Sequence, residues 1–403
     1  MTVSAAAAAD SRERVTPVVS RVWRWVVTAR YAWVTLAAAL LFLVRYHLHI
    51  NDYLYFEYFG RTALGRPRFD HGLGSLLHFY VDYPGVQVGP PGMISAVPLQ
   101  ALPFGLGNRV SAGLMMAALL PCLFMVERTA RNLGADAERL RPLVLVGGLL
   151  LVPVWGDLAV FYMHWDDVGI FLLATGAFLA LSRDRAVLAA VLLGTAMATK
   201  PWAIGLAPVL LVVGRARLPK VALVWIFSFL VWWAPFLISE PSSFSSLSSH
   251  RVPVQPGSVW HLLGVHGNPD AKLCQSADYC LYAAFGWMRG LQLATMSLLA
   301  AGAVLRGRWL AAPLVALAAR VALDPQVWLY YAAGPVLMAF VWEAVNRHRF
   351  PRWTCLTIAC LCAPVVLDAP RAEASLRLLL AVVVTGWFVV RPAGEPATRP
   401  EPA

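Results

Sequence analysis

Charge is scarce in this chain. Only 14% of its 403 residues are Asp, Glu, Lys or Arg, where an ordinary soluble domain carries about 25%. Lysine is nearly missing, with Lys200, Lys220 and Lys272 alone against many arginines. No basic block of five or more residues occurs, so the net charge of +11 does not read as nucleic-acid binding. No Gly-x4-Gly-Lys-Ser/Thr loop is present, which argues against ATP-driven transport. No Gly-x-Ser-x-Gly and no His-Glu-x2-His occurs either, which removes the commonest serine and zinc hydrolase signatures. What remains is apolar: residues of the AVILMFWYC set make up 59% of the chain and mean hydropathy is +0.63.

The apolar residues come in runs, and the charges fall between them. Runs lie at about 31–50, 108–126, 143–156, 167–182, 186–199, 202–214, 220–238, 287–305, 309–323, 327–343, 353–367 and 376–390. Several fall short of the ~20 residues needed to cross the hydrocarbon core, so they must borrow flanking residues or lie obliquely in a bundle. The stretch 90–106 carries Pro90, Pro91, Pro98 and Pro103, which would break a regular helix, and reads as a short re-entrant or interfacial element. The expected fold is all-α: a polytopic transmembrane bundle of about 12 crossings with both termini cytoplasmic. That arrangement leaves most Lys and Arg on the cytoplasmic side. It places two long loops outside, about 51–107 and 239–286. The expected organisation is a cytoplasmic segment 1–24, a membrane domain 25–390 and a disordered cytoplasmic tail 391–403, the last marked by four prolines. The Arg-bearing N-terminal stretch runs into the first apolar run as a signal anchor. Cys274 and Cys280 stand in a polar outer loop, where a disulfide competes with two free thiols.

Titratable residues collect on the outer side of this topology, eight of the nine histidines among them. Asn51-Asp52-Tyr53 follows the first run, and an acid there could take a proton from a hydroxyl. His164-Trp165-Asp166-Asp167 lies at an outer hairpin. Two adjacent carboxylates are not expected to face the same way at a helix start, so Asp167 reads as an N-cap for a helix beginning near Val168. The other carboxylate is then free for substrate, and with His164 the pair could also hold a divalent metal. Lys200, in Lys200-Pro201-Trp202, either snorkels to headgroups or meets a phosphate. Tyr80-Val81-Asp82-Tyr83-Pro84 leads into Gly89-Pro90-Pro91-Gly92, and a rim of aromatics there could stack on sugar rings. Asp324 opens the stretch through Trp328, Tyr330 and Tyr331 and reads as the cap of the helix that follows.

Taken in order, these pieces resemble the GT-C superfamily of polytopic glycosyltransferases, and within it the bacterial polyprenyl-phosphate-mannose-dependent α-1,2-mannosyltransferases. Four stretches carry the resemblance: Asp52 after the first helix, the Tyr-Pro segment running into Gly89-Pro90-Pro91-Gly92, the hairpin with His164, Asp166 and Asp167, and Gly194-x-Ala196-x-Ala198-Thr199-Lys200-Pro201. The resemblance covers roughly residues 25–345. It implies a cell-membrane enzyme with its site outside the cytoplasm, moving a sugar such as mannose from a polyprenyl-phosphate donor to a lipid or glycan acceptor. Asp52 is the implied general base. Lys200, His164, Asp166, Asp167, Tyr83 and Tyr330 are the implied substrate contacts. No cofactor is expected, and a divalent metal is not required, because cationic side chains can stabilise a monophosphate leaving group. A donor already in the membrane also needs no soluble nucleotide-sugar domain. A lipid-linked sugar flippase or secondary transporter is the competing reading; it would be expected to show an internal repeat and ionisable groups near the bilayer midplane. The orientation is testable with the native cysteines. After mild reduction of whole cells, Cys274 and Cys280 should react with a membrane-impermeant maleimide. Labelling that requires lysis would reverse the topology.

Overall fold

The structure is a computed structural model that describes residues 23–48, 53–65, 76–245, 251–274, 280–346 and 348–391. It is nearly all helix. The main helices are α1 (Arg30–Arg45), α2 (Leu54–Ala63), α3 (Pro90–Ala96), α4 (Phe104–Ala117), α5 (Leu119–Asn132), α6 (Ala137–Gly156) and α7 (Trp165–Leu181). They continue with α8 (Ala186–Thr199), α9 (Leu218–Ser239), α10 (Gly286–Leu305), α11 (Ala312–Leu323), α12 (Ala333–Val345), α13 (Arg352–Val366) and α14 (Pro370–Thr385). Each apolar run of the sequence therefore returns as a helical element. The run at 202–214 takes the tighter 3₁₀ form over Pro201–Val212, with Pro208 inside it. The proline-rich stretch is short and broken as expected: α3 abuts a 3₁₀ piece at Val97–Ala101.

Among the described residues, six helical stretches are long and apolar enough to cross a membrane: Arg30–Leu48, Gly105–Asn132, Ala137–Phe161, Leu218–Ser239, Gly286–Leu305 and Pro370–Val390. Prolines punctuate them. Pro121 supplies no N–H, and the Gly105–Asn132 stretch divides near it, between Ala117 and Leu119. Beyond Pro153, α6 widens into a π-helical turn, Asp157–Phe161. Such turns are rare and re-aim the chain that follows. Here that chain runs straight into His164-Trp165-Asp166-Asp167.

Almost every residue of α11 and α12 is buried, so these two form the centre. α1 and α9 lie at the periphery, with only Val34 and Ala38 buried in the first and Val221, Trp233 and Phe236 in the second. In lipid there is little hydrophobic gain from helix contact, so close packing through small residues must hold the bundle. Gly147 sits under the Phe340 ring, and Gly148 against Val34 and Leu123. Gly194 lets α8 press on the backbone of α9 at Trp225. A Cβ added at Gly194 would also come within 2.7 Å of the Ser228 Cβ.

The described residues hold one small sheet, β1 (Asn268–Cys274) paired antiparallel with β2 (Cys280–Ala283). Cys274 and Cys280 are joined as a disulfide across it. The preceding strand-like segment adds two backbone bonds, Val254 N–H to Tyr282 O at 3.0 Å and Ala284 N–H to Val252 O at 2.7 Å. The hairpin thus stands as a small wall at one end of the bundle.

Because the α8–α9 contact is backbone against backbone, Gly194→Val should separate the two helices. The expected cost is about 1–3 kcal/mol, the usual penalty for overpacking. Thermal unfolding of the detergent-solubilised protein would measure it. An unchanged midpoint would show that the two helices can part freely.

Candidate active site

The strongest concentration of charge inside the bundle starts at the amino end of α7. The turn before it is strained. Met163 is buried and has φ 56°, in the left-handed region where a residue with a Cβ pays to sit. That kink sends His164 back over the π turn, with its N–H bonded to Leu158 O at 3.1 Å, and starts a new helix at Trp165. His164 occupies the N-cap position without a side-chain cap. Asp166 and Asp167 therefore fall in the first turn, and both are buried.

The expectation that the two carboxylates must diverge, with Asp167 capping a helix near Val168, does not hold. The helix begins earlier, so neither carboxylate is at the cap, and Lys200 reaches both. Its Nζ lies 2.5 Å from Asp166 Oδ2 and 3.0 Å from Asp167 Oδ2. Trp202 Nε1 donates to Asp167 Oδ1 at 3.0 Å. The snorkelling alternative for Lys200 is likewise corrected: the residue is only 8% exposed and faces inward. Its backbone explains why. Pro201 forbids the helical conformation to the residue before it, so α8 ends and Lys200 is extended (φ −157°, ψ 132°).

The glycine-proline segment supplies the floor. Gly89 N–H donates to Thr199 O at 2.8 Å, and a Cβ at Gly89 would run into the Ala198 carbonyl. Gly92 lies against Thr199 and the Asp166 Cβ. The motif is thus a close-approach surface that seats α3 on the residues carrying Lys200. Trp165 adds a bond from Nε1 to Ser95 Oγ at 2.7 Å.

A cavity of about 1080 Å³ opens over this cluster. His164, Asp166, Lys200 and Tyr330 line it. His164 stacks on Tyr330 at 3.9 Å between ring centres, and its Nδ1 is 3.5 Å from Asp166 Oδ1. Asp167 lies behind Lys200. Tyr83 is not among the lining residues; it stacks on Tyr58 at 5.8 Å, outside the cavity wall. Of the other outer histidines, His261 and His266 face each other at 3.1 Å and do not line the cavity. His49, His71, His250 and Asp52 lie outside the described residues, as does the tail from Pro392. Asp324 does not cap the next helix. It is fully buried and accepts from Arg289 Nη1 at 3.1 Å, Gln292 Nε2 at 3.0 Å and the Gln326 N–H at 3.0 Å.

Besides Arg251 on the loop ahead of the hairpin, two cavity cations on the helices were not anticipated. Arg289 projects from α10, held by Asp324 and Gln292. Arg320 comes from α11, 5% exposed, with its guanidinium 4.4 Å from the Trp202 ring centre and 4.7 Å from that of Tyr331. Arg320 has no carboxylate partner among the described residues, and its Nε has no hydrogen-bond partner. Both lay in plain view as arginines inside apolar runs, a placement that is costly and marks function.

His164, Asp166 and Asp167 each offer an atom within 4.8 Å of the others, as a metal site would need. The Lys200 ammonium already stands between the two carboxylates, so a metal would have to compete with it. The charges that the helices bring to the cavity thus fall into two halves, apart from Arg251 and Asp270 on the hairpin side. One carboxylate of the Asp166–Asp167–Lys200 group is left in excess, and beyond the Trp202 indole one guanidinium is left in excess. No protein-family model matches the chain, and no curated protein matches it.

Lys200→Ala would leave two carboxylates facing each other in a buried place. Breaking such a pair costs about 3–5 kcal/mol. The loss should show as a lower unfolding midpoint and should be partly recovered in the double variant with Asp167→Asn. Absence of that recovery would mean the ammonium does not hold the two acids together.

Proposed function

We propose that the protein is a multi-pass cell-membrane glycosyltransferase of the GT-C kind. In this reading it crosses the membrane about twelve times and works from its extracytoplasmic face. It moves a sugar, mannose in the nearest resemblance, from a polyprenyl-phosphate donor to a lipid or glycan acceptor. The observation that carries the reading is the cavity itself: a buried, uncompensated guanidinium at Arg320 faces a carboxylate-rich group across one aromatic ring. A sugar phosphate leaving as an anion and a hydroxyl giving up a proton require this pair of opposite charges.

The chemistry is a displacement. The acceptor hydroxyl attacks the anomeric carbon, the bond from that carbon to the phosphate oxygen breaks, and the phosphate departs with the bonding electrons. Arg320 and Arg289 meet the negative charge in a place poor in water, where fixed cations act most strongly. Lys200, taken up by Asp166 and Asp167, is reassigned from phosphate contact to holding the acids. Asp52 keeps the role of general base. The chain just beyond it supports that role: Tyr53 packs edge-on against Trp165 at 6.5 Å, and Tyr55 and Phe56 line the cavity. Tyr330 and Trp328 line the cavity that would take the sugar. The disulfide between Cys274 and Cys280 supports the outer placement, since such bonds persist outside the cytoplasm.

The test is transfer from a polyprenyl-phosphate sugar by purified, monodisperse protein. Asp52→Asn should abolish it, loss of a general base costing about 10²–10⁴ in rate. Arg320→Gln should lower kcat by a factor of about 10²–10³, in the range for a lost transition-state donor. Asp166→Asn should fall between these and wild type. Wild-type rate in Asp52→Asn would make Asp166 the base. Movement of the lipid-linked sugar across vesicles without transfer would favour the transporter instead.

A further inference from the structure

The one-turn helix Val259–Leu262 and the loop after it carry two histidines that the cavity does not use. The backbone between them is closely specified. Ser258 Oγ accepts the His261 N–H at 3.2 Å, and Trp260 Nε1 donates to Leu323 O at 2.8 Å, which anchors the short helix to α11. Beyond Leu263 the chain turns back. Gly264 N–H donates to His261 O at 3.0 Å, and Val265 N–H to Trp260 O at 2.9 Å. Gly264 has φ 78°, the left-handed conformation that closes a helix and favours glycine. Gly267 has φ 106° and lies so close to β2 that a Cβ there would come within 2.6 Å of Ala283 O. His266 is therefore held between two fixed points, and the turn returns it to His261.

The two rings meet nitrogen to nitrogen. Nδ1 of His266 is 3.1 Å from Nδ1 of His261, and the ring planes cross at 73°. The ring centres are 4.4 Å apart, only slightly more than the nitrogens. The rings therefore do not point at each other along one line, as a direct N–H···N bond prefers. An ion bonded to both nitrogens at about 2.0–2.1 Å would see them at an angle of about 100°, between the square and tetrahedral arrangements. Filling the site needs no net change of protons. The ring that carries hydrogen on Nδ1 moves it to Nε2, and both Nδ1 lone pairs are then free. Burial, the neighbouring His266 and the Arg371 guanidinium push the pKa of His261 down, so its ring is neutral at physiological pH. His266 is exposed and His261 half-buried, so an ion reaches the pair from solvent.

We propose that His261 and His266 form a two-imidazole site for a divalent transition-metal ion of the zinc or copper class, which ties the loop entering β1 to the helix anchored on α11. Imidazole suits these ions and not magnesium or calcium. Among the described residues no third His, Cys, Asp or Glu joins the pair, so water completes the coordination. The site lies outside the cavity and does not depend on the transferase reading.

The test is metal titration of the full-length protein, purified without a polyhistidine tag and stripped with a chelator. Calorimetry and thermal unfolding are the readouts, with zinc chloride as the probe and magnesium chloride as the control. Wild type should bind zinc at the pair and unfold at a higher temperature in its presence, and magnesium should do neither. His261→Gln and His266→Ala should each weaken zinc about 10–100-fold, at least the loss caused by removing a partner of a ligand. His266 is exposed, so His266→Ala keeps the fold, checked by an unchanged midpoint without metal. Arg371→Gln removes a positive charge that acts on His261 and should tighten zinc about twofold. Copper(II) on the wild type should show nitrogen coupling from two imidazoles in its electron spin resonance. No zinc binding by wild type at millimolar concentration, or equal zinc affinity in wild type and both histidine variants, would overturn the proposal. So would zinc binding that survives His266→Ala and is lost in His164→Ala, which would put the ion in the cavity.

Discussion

A single ammonium group holds the centre of this protein together. Lys200 lies between Asp166 and Asp167, and three separate parts of the chain depend on its being there. The amino end of α7 can tolerate two buried acids only because a cation reaches both. The end of α8 must stop where it does, because Pro201 forces Lys200 into the extended form that lets it reach them. The glycine-proline segment must press against Thr199 and the Asp166 Cβ, because anything bulkier at Gly89 or Gly92 would part the two. A buried ion pair contributes little net stability, since desolvation offsets most of the attraction. Its value here is geometric. It sets where one face of the cavity begins and which acid is turned toward it.

The second constraint is the balance of charge around Trp202. The indole donates to Asp167 on one edge and carries Arg320 over its face. It thereby separates a site with an excess negative charge from one with an excess positive charge, over the width of an aromatic ring. An isolated guanidinium buried in a bundle is expensive, and the two rings that sandwich Arg320 offset only part of that cost. The remainder is a standing preference for an anion. The same logic explains the outer network of Arg289, Gln292 and Asp324, whose partners are satisfied. It acts as a brace for the α10 wall.

The periphery obeys a different rule. Where the bundle meets lipid, side chains are large and apolar, and the closest helix contacts are made at glycine. Gly147, Gly148 and Gly194 mark contacts made by removing side chains.

Composition and the spacing of apolar runs determined, without help, that the chain is a helical membrane protein and nearly where each helix lies. Hydrophobic length is a local property, so it survives in one dimension. The sequence also marked His164, Asp166, Lys200 and Tyr330, because charged and aromatic residues at the ends of apolar runs are conspicuous. It could not say what those residues touch. Asp167 and Asp324 looked like helix caps because a cap is the commonest local use of an aspartate. In the folded chain both accept hydrogen bonds from residues about thirty positions away in sequence. Tyr83 looked like part of the rim and is held outside it by Tyr58. Arg289 and Arg320 were legible as charges within apolar runs, but only the folding of α10 and α11 around one cavity gave them a common purpose. The tertiary structure decided which ionisable groups are neutralised by one another and which are left facing open space. That depends on distance in three dimensions, a quantity that residue order does not carry.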